Sequence, residues 1–496
     1  MFYRFFHKKP LPNAHTQQDS SSQITGTQMP RSIGLGQLTL IGVGSTLGTG
    51  IFFVMAETVP IAGPGVVVAF LVAALTAGLT AMCYAEVSSR LPVSGASYTF
   101  TYVTMGEGVA VMVAACLLLE WGIAGAAVSV GWSAYLNQLV EMVTGHAIPI
   151  AWRQPPFQSS VSGLVPGGPG IVNLPAIVVV WLCTLLLLRG SQASARLNTF
   201  LTVTKVTILL LFVVMTLPVF RAEHFAPFMP FGVSGVSTAA AIIFFSFVGL
   251  DAVVNAGEEA INPERNIPRA ILGALMIVTT VYVLVAASSL GVQAYDTFTG
   301  SSGSLPAILL NATQSPGSSI LLATGAVISI FSVTFLTLFG QARIYLAMAR
   351  DGLLPSKLAK LDRQTQSPAA ATVLSGLMIT PLAGFLPSHV LWAMVSLGTL
   401  MVFIAVAVAL ILLRRQGGVC THIPNSDSSQ STGFKVPGYP FTPLVSIAAC
   451  LYLIANLSAT VFTLFAVWLT LALLFYAAFG QRRAQVLARH QGKMAT

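Results

Sequence analysis

Long apolar stretches recur along this chain from residue 33 to residue 480. A helix that crosses a bilayer needs about 20 predominantly apolar residues, because the hydrocarbon core is about 30 Å thick and each helical residue rises about 1.5 Å. Twelve stretches meet this requirement, at about 33–57, 65–87, 107–136, 174–189, 199–219, 236–257, 270–293, 318–345, 369–386, 390–413, 441–457 and 459–480. The sequence therefore predicts an all-α integral membrane protein with 12 transmembrane helices.

The composition agrees with a lipid environment. Hydrophobic residues make up 55% of the 496 positions and charged residues only 8%, far from the composition of a water-soluble domain. The five cysteines show no paired spacing that would indicate a disulfide framework or a zinc site. All seven histidines lie in predicted tails and loops. We therefore expect no metal site and no other cofactor within the membrane.

The basic residues orient the predicted helices. If the N-terminus is cytoplasmic, Arg153 and Arg221 fall outside, Lys205 lies within a span, and the remaining 21 of the 24 lysines and arginines fall inside. This asymmetry predicts that both termini are cytoplasmic in a multi-pass protein of the plasma (inner) membrane. It also accounts for the net charge of +9, so we expect no nucleic-acid partner. The oligomeric state is not predicted.

The predicted spans and their orientation give one membrane unit with a tail at each end. The predicted parts are an N-terminal cytoplasmic tail (1–30), a core of helices 1 to 10 (31–413), a cytoplasmic loop (414–440), helices 11 and 12 (441–480) and a C-terminal cytoplasmic tail (481–496).

Two of the spans carry glycines near their middle. Span 1 has four glycines within residues 42–50, including Gly48 and Gly50, and glycine costs about 1 kcal/mol in a helix relative to alanine. Span 6 has Gly249 near its middle, followed by the carboxylate of Asp251. We expect both helices to be discontinuous. The alternative for span 1 is close helix packing, because Gly44 and Gly48 form a GxxxG pair.

Broken helices at membrane depth predict a polar site. Unpaired peptide groups are tolerated there only where they are buried in protein or line a cavity. Half-helix N-termini suit a carboxylate, and freed carbonyls suit an ammonium group, so an amino acid would satisfy both. The second break lies five spans after the first, which is the spacing expected of a five-plus-five inverted repeat. A shared binding site for a small zwitterion is the resulting hypothesis.

Three ionisable residues lie within predicted spans, where an ionisable group costs at least about 2.5 kcal/mol. Lys205 could extend to the interface or, if enclosed, exchange a proton during transport. Glu120 is too short to reach the interface, so it is either a buried hydrogen-bond anchor or a residue of substrate selection or proton handling. Asp251 could hold the unwound segment through its amides or contact the ligand. The pair Glu258 and Glu259 at the end of span 6 is either solvated or part of a gate.

Eight short motifs match one family pattern in order along the chain. They are 48–52 (GTGIF), 84–86 (YAE), 90–95 (RLPVSG), 119–121 (LEW), 244–251 (FFSFVGLD), 257–259 (GEE), 262–268 (NPERNIP) and 347–355 (AMARDGLLP). With them the chain resembles the amino acid–polyamine–organocation superfamily, and within it the cationic amino acid transporter family and its bacterial relatives. The resemblance covers about residues 31–415.

The resemblance implies a fold and a set of ligand contacts. The implied fold is a five-plus-five inverted repeat with two added helices, which works by alternating access. The substrate carboxylate of the family meets backbone amides that correspond to Thr49 and Gly50. The substrate ammonium meets carbonyls that correspond to Thr46, Phe245 and Val248. Phe245 would also pack over the substrate as a gate.

The resemblance also bears on coupling and substrate. Lys205 occupies the position of a lysine that replaces sodium in proton-coupled relatives, and Glu120 matches an acidic residue of the cationic subgroup. We therefore expect an amino acid permease, with protons, an amino acid and the lipid bilayer as its partners. An exchanger or facilitator and a polyamine or other organocation transporter are the alternatives. A nutrient sensor is a further alternative, and a membrane enzyme is disfavoured because no catalytic motif is found.

Overall fold

The computed structural model describes residues 31, 33–91, 96–160, 163–189, 191–298, 304–362, 365, 367–415, 434–457 and 459–477. The two predicted tails and most of the predicted loop 414–440 lie outside these residues. The layout of the chain into tails, core and loop therefore stays a prediction.

The described residues form a mainly helical protein. The helices are α1 (Leu35–Thr46), α2 (Thr49–Ala62), α3 (Val66–Arg90), α4 (Ala96–Thr104), α5 (Glu107–Thr144), α6 (Ile150–Arg153), α7 (Leu174–Leu187), α8 (Ser191–Thr216), α9 (Gly232–Ile243), α10 (Ala252–Asn255), α11 (Pro263–Val292), α12 (Leu305–Thr313), α13 (Pro316–Arg350), α14 (Ala369–Phe385), α15 (Ser388–Arg415), α16 (Phe441–Ala455) and α17 (Ala459–Phe475). Short 3₁₀ turns connect several of them, at Gly63–Gly65, Leu217–Val219, Ala222–Phe225, Phe244–Phe247, Gly257–Glu259, Tyr295–Thr297 and Ser356–Ala359.

The apolar helices are long enough to cross a membrane. Within the described residues, eight segments have the required length and hydropathy, and four apolar helices of 10–17 residues accompany them. Their outer faces are apolar: Leu75 is 66% exposed, Val214 61% and Leu471 58%. In water such a surface would be unstable, whereas in lipid it is the expected exterior. The chain is therefore a multi-pass membrane protein, and the count of twelve spans stays a prediction.

The segments between spans contain more structure than the sequence indicated. Residues 96–104 and 305–313, which lie between predicted spans, form α4 and α12. Two short antiparallel strands, β1 (Phe157–Ser160) and β2 (Gly163–Pro166), make a hairpin in the segment between α6 and α7. The all-α prediction is therefore wrong for this hairpin. It lies outside the apolar spans, and each of its two strands has only four residues, so helical periodicity could not reveal it.

Two groups of helices enclose the centre of the molecule. In one group α5 packs most extensively against α13 and α15, and in the other α11 packs against α1 and α3. The breaks that separate α1 from α2 and α9 from α10 lie where the two groups face each other. The helix packing thus places both breaks at a common interior site.

A buried carboxylate connects three separate segments at one face of the protein. Glu86, at the end of α3, accepts hydrogen bonds from Arg90 at 2.6 Å and from Arg414 at 2.8 and 2.5 Å. It also accepts one at 2.7 Å from the backbone N–H of Val436, just before α16. The guanidinium of Arg414 stacks on the ring of Tyr439. These contacts fix α3, α15 and the entry to α16 relative to one another.

Candidate substrate-binding site

The first apolar span is interrupted as the sequence predicts. Helix α1 ends at Thr46 and α2 begins at Thr49, and Gly48 between them has φ −132° and ψ −140°. A Cβ at Gly48 would lie 2.6 Å from a methyl carbon of Val333 on α13. Gly48 therefore lies both at a helix break and at a close packing contact. The two interpretations of this glycine are compatible.

The second predicted break is also confirmed. Helix α9 ends at Ile243, a 3₁₀ turn follows, Val248 is extended, and α10 begins at Ala252. Gly249 has φ +107°, a conformation that residues with a Cβ rarely adopt. A Cβ there would also lie 2.9 Å from the carbonyl oxygen of Ser45. The backbone at this point requires glycine.

The two breaks are bonded to each other. The hydroxyl of Ser45 donates to the carbonyl of Gly249 at 2.7 Å. The hydroxyl of Tyr282, on α11, lies 2.6 Å from the carbonyl oxygen of Thr46 and 2.8 Å from that of Ser246. Sequence reasoning missed Ser45, Ser246 and Tyr282. The only signal for Tyr282 is a hydroxyl-bearing aromatic residue in the middle of an apolar span.

A small cavity of about 30 Å³ lies beside the two breaks. The predicted site residues that line it are Thr46, Gly48, Gly50, Glu120, Phe245, Val248 and Gly249. Its remaining walls are mainly apolar, with Trp121, Ala124, Val128 and Val333 among them. The structure therefore brings seven predicted site residues together around one interior space.

The cavity presents peptide groups of both polarities. Thr49 and Gly50 are the first two residues of α2, whose free N–H groups and dipole favour a carboxylate. The unwound segment at Val248 and Gly249 leaves carbonyl groups outside any regular helix. The hydroxyl of Ser246 also lines the cavity and has no hydrogen-bond partner among the described residues. An α-amino acid carries groups that complement all three features.

Lys205 is enclosed by protein. Its side chain is 0% exposed, and its amine donates to the carbonyl oxygens of Gly44 at 2.6 Å and Leu47 at 2.8 Å. The alternative in which Lys205 extends to the membrane interface is therefore wrong for this conformation. Both acceptors belong to the last turn and the C-cap of α1, so the amine stabilises the end of that half-helix. Lys205 does not line the central cavity.

Two carboxyl groups are buried close to the cavity, and neither has an ion-pair partner among the described residues. Glu120 is 1% exposed and Asp251 is 4% exposed, and they interact electrostatically. No oxygen of either carboxyl completes a hydrogen bond within the described part of the chain. Glu120 faces the central cavity, whereas Asp251 lines a separate, very small cavity of about 10 Å³ with Tyr84 and Phe403. The predicted ligand-contact and anchoring roles of Asp251 stay predictions.

A buried ion pair joins α13 to the 3₁₀ turn that follows α10. Arg343, on α13, bonds Glu259 at 2.5 Å, and the two side chains are 5% and 10% exposed. The guanidinium also lies 3.7 Å from the ring centre of Phe339. The backbone of Ile33 forms a parallel bridge with Ala260: its N–H donates to the carbonyl of Glu259 and its carbonyl accepts from the N–H of Ile261. The chain just before α1 is therefore bonded to the segment that carries Glu259. Sequence reasoning named Glu259 as a gate candidate but could not identify its partner.

A wide vestibule opens beyond one end of the site. It has a volume of about 670 Å³, and its lining includes Phe52 and Tyr135. The Tyr135 hydroxyl donates to the Phe52 carbonyl at 2.9 Å, and the two rings meet edge to face at 5.7 Å. These two residues separate the vestibule from the central cavity.

The fold and the cavity together define a class of protein. A multi-pass helical protein with two broken helices around an interior polar site has the architecture of a secondary transporter. The sequence profile of the amino acid permease family matches residues 33–482. The chain belongs to this family, and the resemblance to the amino acid–polyamine–organocation superfamily is confirmed.

Individual relatives cover nearly the whole chain. It is 36% identical over 482 residues to the branched-chain amino acid permease BcaP of Bacillus subtilis, which covers 97% of this chain and 98% of the relative. It is 34% identical to the methylthioribose transporter of the same organism, with the same coverage. It is also 34% identical to the vacuolar cationic amino acid transporter 2 of Arabidopsis thaliana, over 80% of this chain and 62% of the relative. All three are named as transporters or permeases.

Proposed function

We propose that this amino acid permease takes up its substrate by alternating access and couples the uptake to protons. The observation that carries the coupling is the amine of Lys205, which is fully buried and bonded to the carbonyls at the end of α1. A buried amine can lose its proton at moderate cost, because burial disfavours its charged form. Loss of the proton would weaken its hold on the broken helix beside the substrate cavity.

The proposed architecture has twelve spans in a five-plus-five repeat with two further helices. Eight long and four short apolar helices are present within the described residues, which supports this count. The breaks lie in the first and the sixth of these spans, as an inverted repeat requires. With both termini cytoplasmic in the plasma membrane, the vestibule would face outward and the Arg343–Glu259 ion pair would close the cytoplasmic side.

The proposed substrate contacts follow from the exposed peptide groups. The carboxylate would bind the amides of Thr49 and Gly50, at the positive end of α2. The ammonium would bind the carbonyls of Thr46, Phe245 and Val248. The carbonyl of Thr46 already accepts a hydrogen bond, but a carbonyl oxygen has two lone pairs and can accept a second.

The walls of the cavity favour an aliphatic side chain on the substrate. Ala124, Val128 and Val333 present only apolar atoms, and the relatives named as branched-chain permeases fit this lining. Glu120 supports a second candidate, a cationic amino acid, because its buried carboxyl group has no cationic partner among the described residues. A neutral substrate requires Glu120 to be protonated, whereas a cationic substrate would pair with it.

Phe245 is the proposed inner cover of the substrate. Its ring lines the cavity and packs edge to face on Trp392, with ring centres 4.6 Å apart. Opening toward the cytoplasm would then require the separation of Arg343 from Glu259, which close the far end. An ion pair that is broken and reformed in each cycle can alternate with the Phe52–Tyr135 closure on the vestibule side.

Two experiments test the proposal. A thermal-shift screen of the purified protein against all standard amino acids and common polyamines would identify the ligand, and we expect the aliphatic or the cationic amino acids to raise the melting temperature. Uptake of that ligand into proteoliposomes would then be measured with and without an inward proton gradient. Accumulation that ignores the gradient would refute the coupling. Exchange of internal for external substrate without net accumulation would favour an exchanger.

A further inference from the structure

The outer vestibule carries one positive and one negative side chain. Arg153, at the end of α6, and Glu141, near the end of α5, both line it. Neither side chain forms an ion pair with the other or with any other described residue, although they share the same space. The Nε atom of Arg153 is buried and has no hydrogen-bond partner within the described chain. Arg153 could therefore bind an anionic group of a ligand, and Glu141 a cationic one.

Polar side chains surround this pair and are themselves engaged. The side-chain oxygen of Asn137 accepts a hydrogen bond from the backbone N–H of Ile148 at 2.9 Å. The amide of Gln138 donates to the hydroxyl of Ser304 at 3.4 Å. These bonds hold the vestibule wall in place without neutralising Arg153 or Glu141. A ligand with a carboxylate and an ammonium group would meet a prepared surface.

The vestibule is separate from the central cavity. Both spaces lie along α5, because Glu120 and Val128 line the central cavity while Ala134 and Glu141 line the vestibule. At about 1.5 Å per residue, roughly 9 Å of helix lies between Val128 and Ala134. Tyr135, the residue after Ala134 on α5, packs its ring edge to face against the ring of Phe52. No residue lines both spaces.

We propose that the vestibule is a second binding site for the zwitterionic α-amino-carboxylate group of the substrate. Arg153 would bind the carboxylate and Glu141 the ammonium before the substrate passes Phe52 and Tyr135. The inference rests on the proposed function, because it takes an amino acid as the transported molecule. Side-chain identity plays no part in this recognition, so the outer site accepts amino acids that the central cavity later distinguishes.

The test compares charge-neutral variants of the vestibule with matched controls. Arg153→Gln and Glu141→Gln would be reconstituted in proteoliposomes, and initial uptake of L-leucine, with L-lysine as a second probe, would be measured against concentration. We expect KM to rise roughly three- to tenfold with an unchanged maximal rate, the loss expected for one solvent-accessible charged contact. Arg221→Gln and Glu223→Gln are the controls, because both residues are exposed and lie outside the vestibule lining.

Equilibrium dialysis provides a second readout. We expect two molecules of the transported probe per chain at saturation in the wild type and one in Arg153→Gln. Arg153→Lys, which keeps the charge, should retain most of the second-site binding. A single bound molecule in the wild type, together with vestibule variants whose KM equals that of the controls, would overturn the inference and leave the permease function intact. A wild type that neither binds nor transports any amino acid would overturn both proposals.

Discussion

Replacing Lys205 with methionine removes the amine and keeps most of the length of the side chain. In the native structure this amine is fully buried and donates to the carbonyls of Gly44 and Leu47. Its removal leaves two buried acceptors without that donor, at about 1–3 kcal/mol each. It also removes the cost of burying a polar amine, which is of the same order. We therefore expect a net change in unfolding free energy within about 2 kcal/mol, so Lys205→Met should fold.

The effect on transport should be much larger than the effect on stability. One buried amine at the break implies one proton per substrate molecule. At zero membrane potential each pH unit then supports about tenfold accumulation, because 1.4 kcal/mol corresponds to a factor of ten. A gradient of about two units should allow the wild type to approach a 100-fold ratio of internal to external substrate. Lys205→Met should reach a ratio of about one, because it cannot carry the proton.

The assay is accumulation of labelled substrate in proteoliposomes, with potassium and valinomycin used to hold the membrane potential at zero. Exchange of internal for external substrate should persist in Lys205→Met, because the cavity residues are unchanged. Lys357→Met is the control, since this lysine is exposed in a 3₁₀ turn after α13. Gradient-driven accumulation by Lys205→Met at the wild-type level would refute the role of this residue. Loss of both exchange and binding would show that the amine only maintains the site.

Three further substitutions test the site and its closure. Gly249→Ala should lower the melting temperature and abolish binding, because the φ of +107° at this position strains any other residue by about 1–3 kcal/mol. Gly36→Ala is its control: an added Cβ there would have no atom within 4 Å, so this change should be neutral or stabilising. Arg343→Met should destabilise the protein by about 3–5 kcal/mol by leaving Glu259 buried and unpaired, and should raise the labelling of cysteines introduced next to the ion pair. Glu120→Gln should leave the melting temperature unchanged or raise it and shift binding from cationic toward neutral amino acids.

Each of these results has a clear counter-outcome. Equal binding by Gly249→Ala and Gly36→Ala would mean that the strained turn does not shape the cavity. An Arg343→Met protein with the melting temperature and labelling of the wild type would remove the ion pair from the gate, and the double variant Arg343→Met/Glu259→Leu should recover part of the lost stability. A Glu120→Gln protein that melts well below the wild type would indicate an undetected partner of this carboxylate.

Much of the fold could be predicted because lipid imposes a simple rule on sequence. Each apolar stretch of about 20 residues must become a helix, since backbone polar groups in hydrocarbon need internal partners. Charged residues and glycines inside such stretches are therefore conspicuous, and Lys205, Glu120, Gly48 and Gly249 were identified in this way. The hairpin at 157–166 was missed because its segments lie outside the apolar stretches and leave no periodic signal.

The central site shows where sequence reasoning ends. The breaks were predicted from glycines, but the bond between Ser45 and Gly249, 204 residues apart, has no sequence signature. The bridging position of Tyr282 and the ion pair of Arg343 with Glu259 are equally non-local. The sequence left ligand contact and local anchoring both open for Asp251, and that this residue lines a second cavity with Tyr84 and Phe403 could not be read from the chain.

The sequence by itself determined the membrane environment, the positions of the helix breaks and the family, because each depends on residues that are close together in the chain. Only the tertiary structure decided that the two breaks meet, that the amine of Lys205 binds the end of α1, and that Arg153 and Glu141 share one vestibule without pairing. Those relations depend on how separate elements pack, and the partners can be far apart in the chain: Lys205 and Gly44 are separated by 161 residues, and Ser45 and Gly249 by 204. For the same reason, the side-chain preference of the cavity is set by walls that α1, α2, α5, α13 and the segment 245–249 form together.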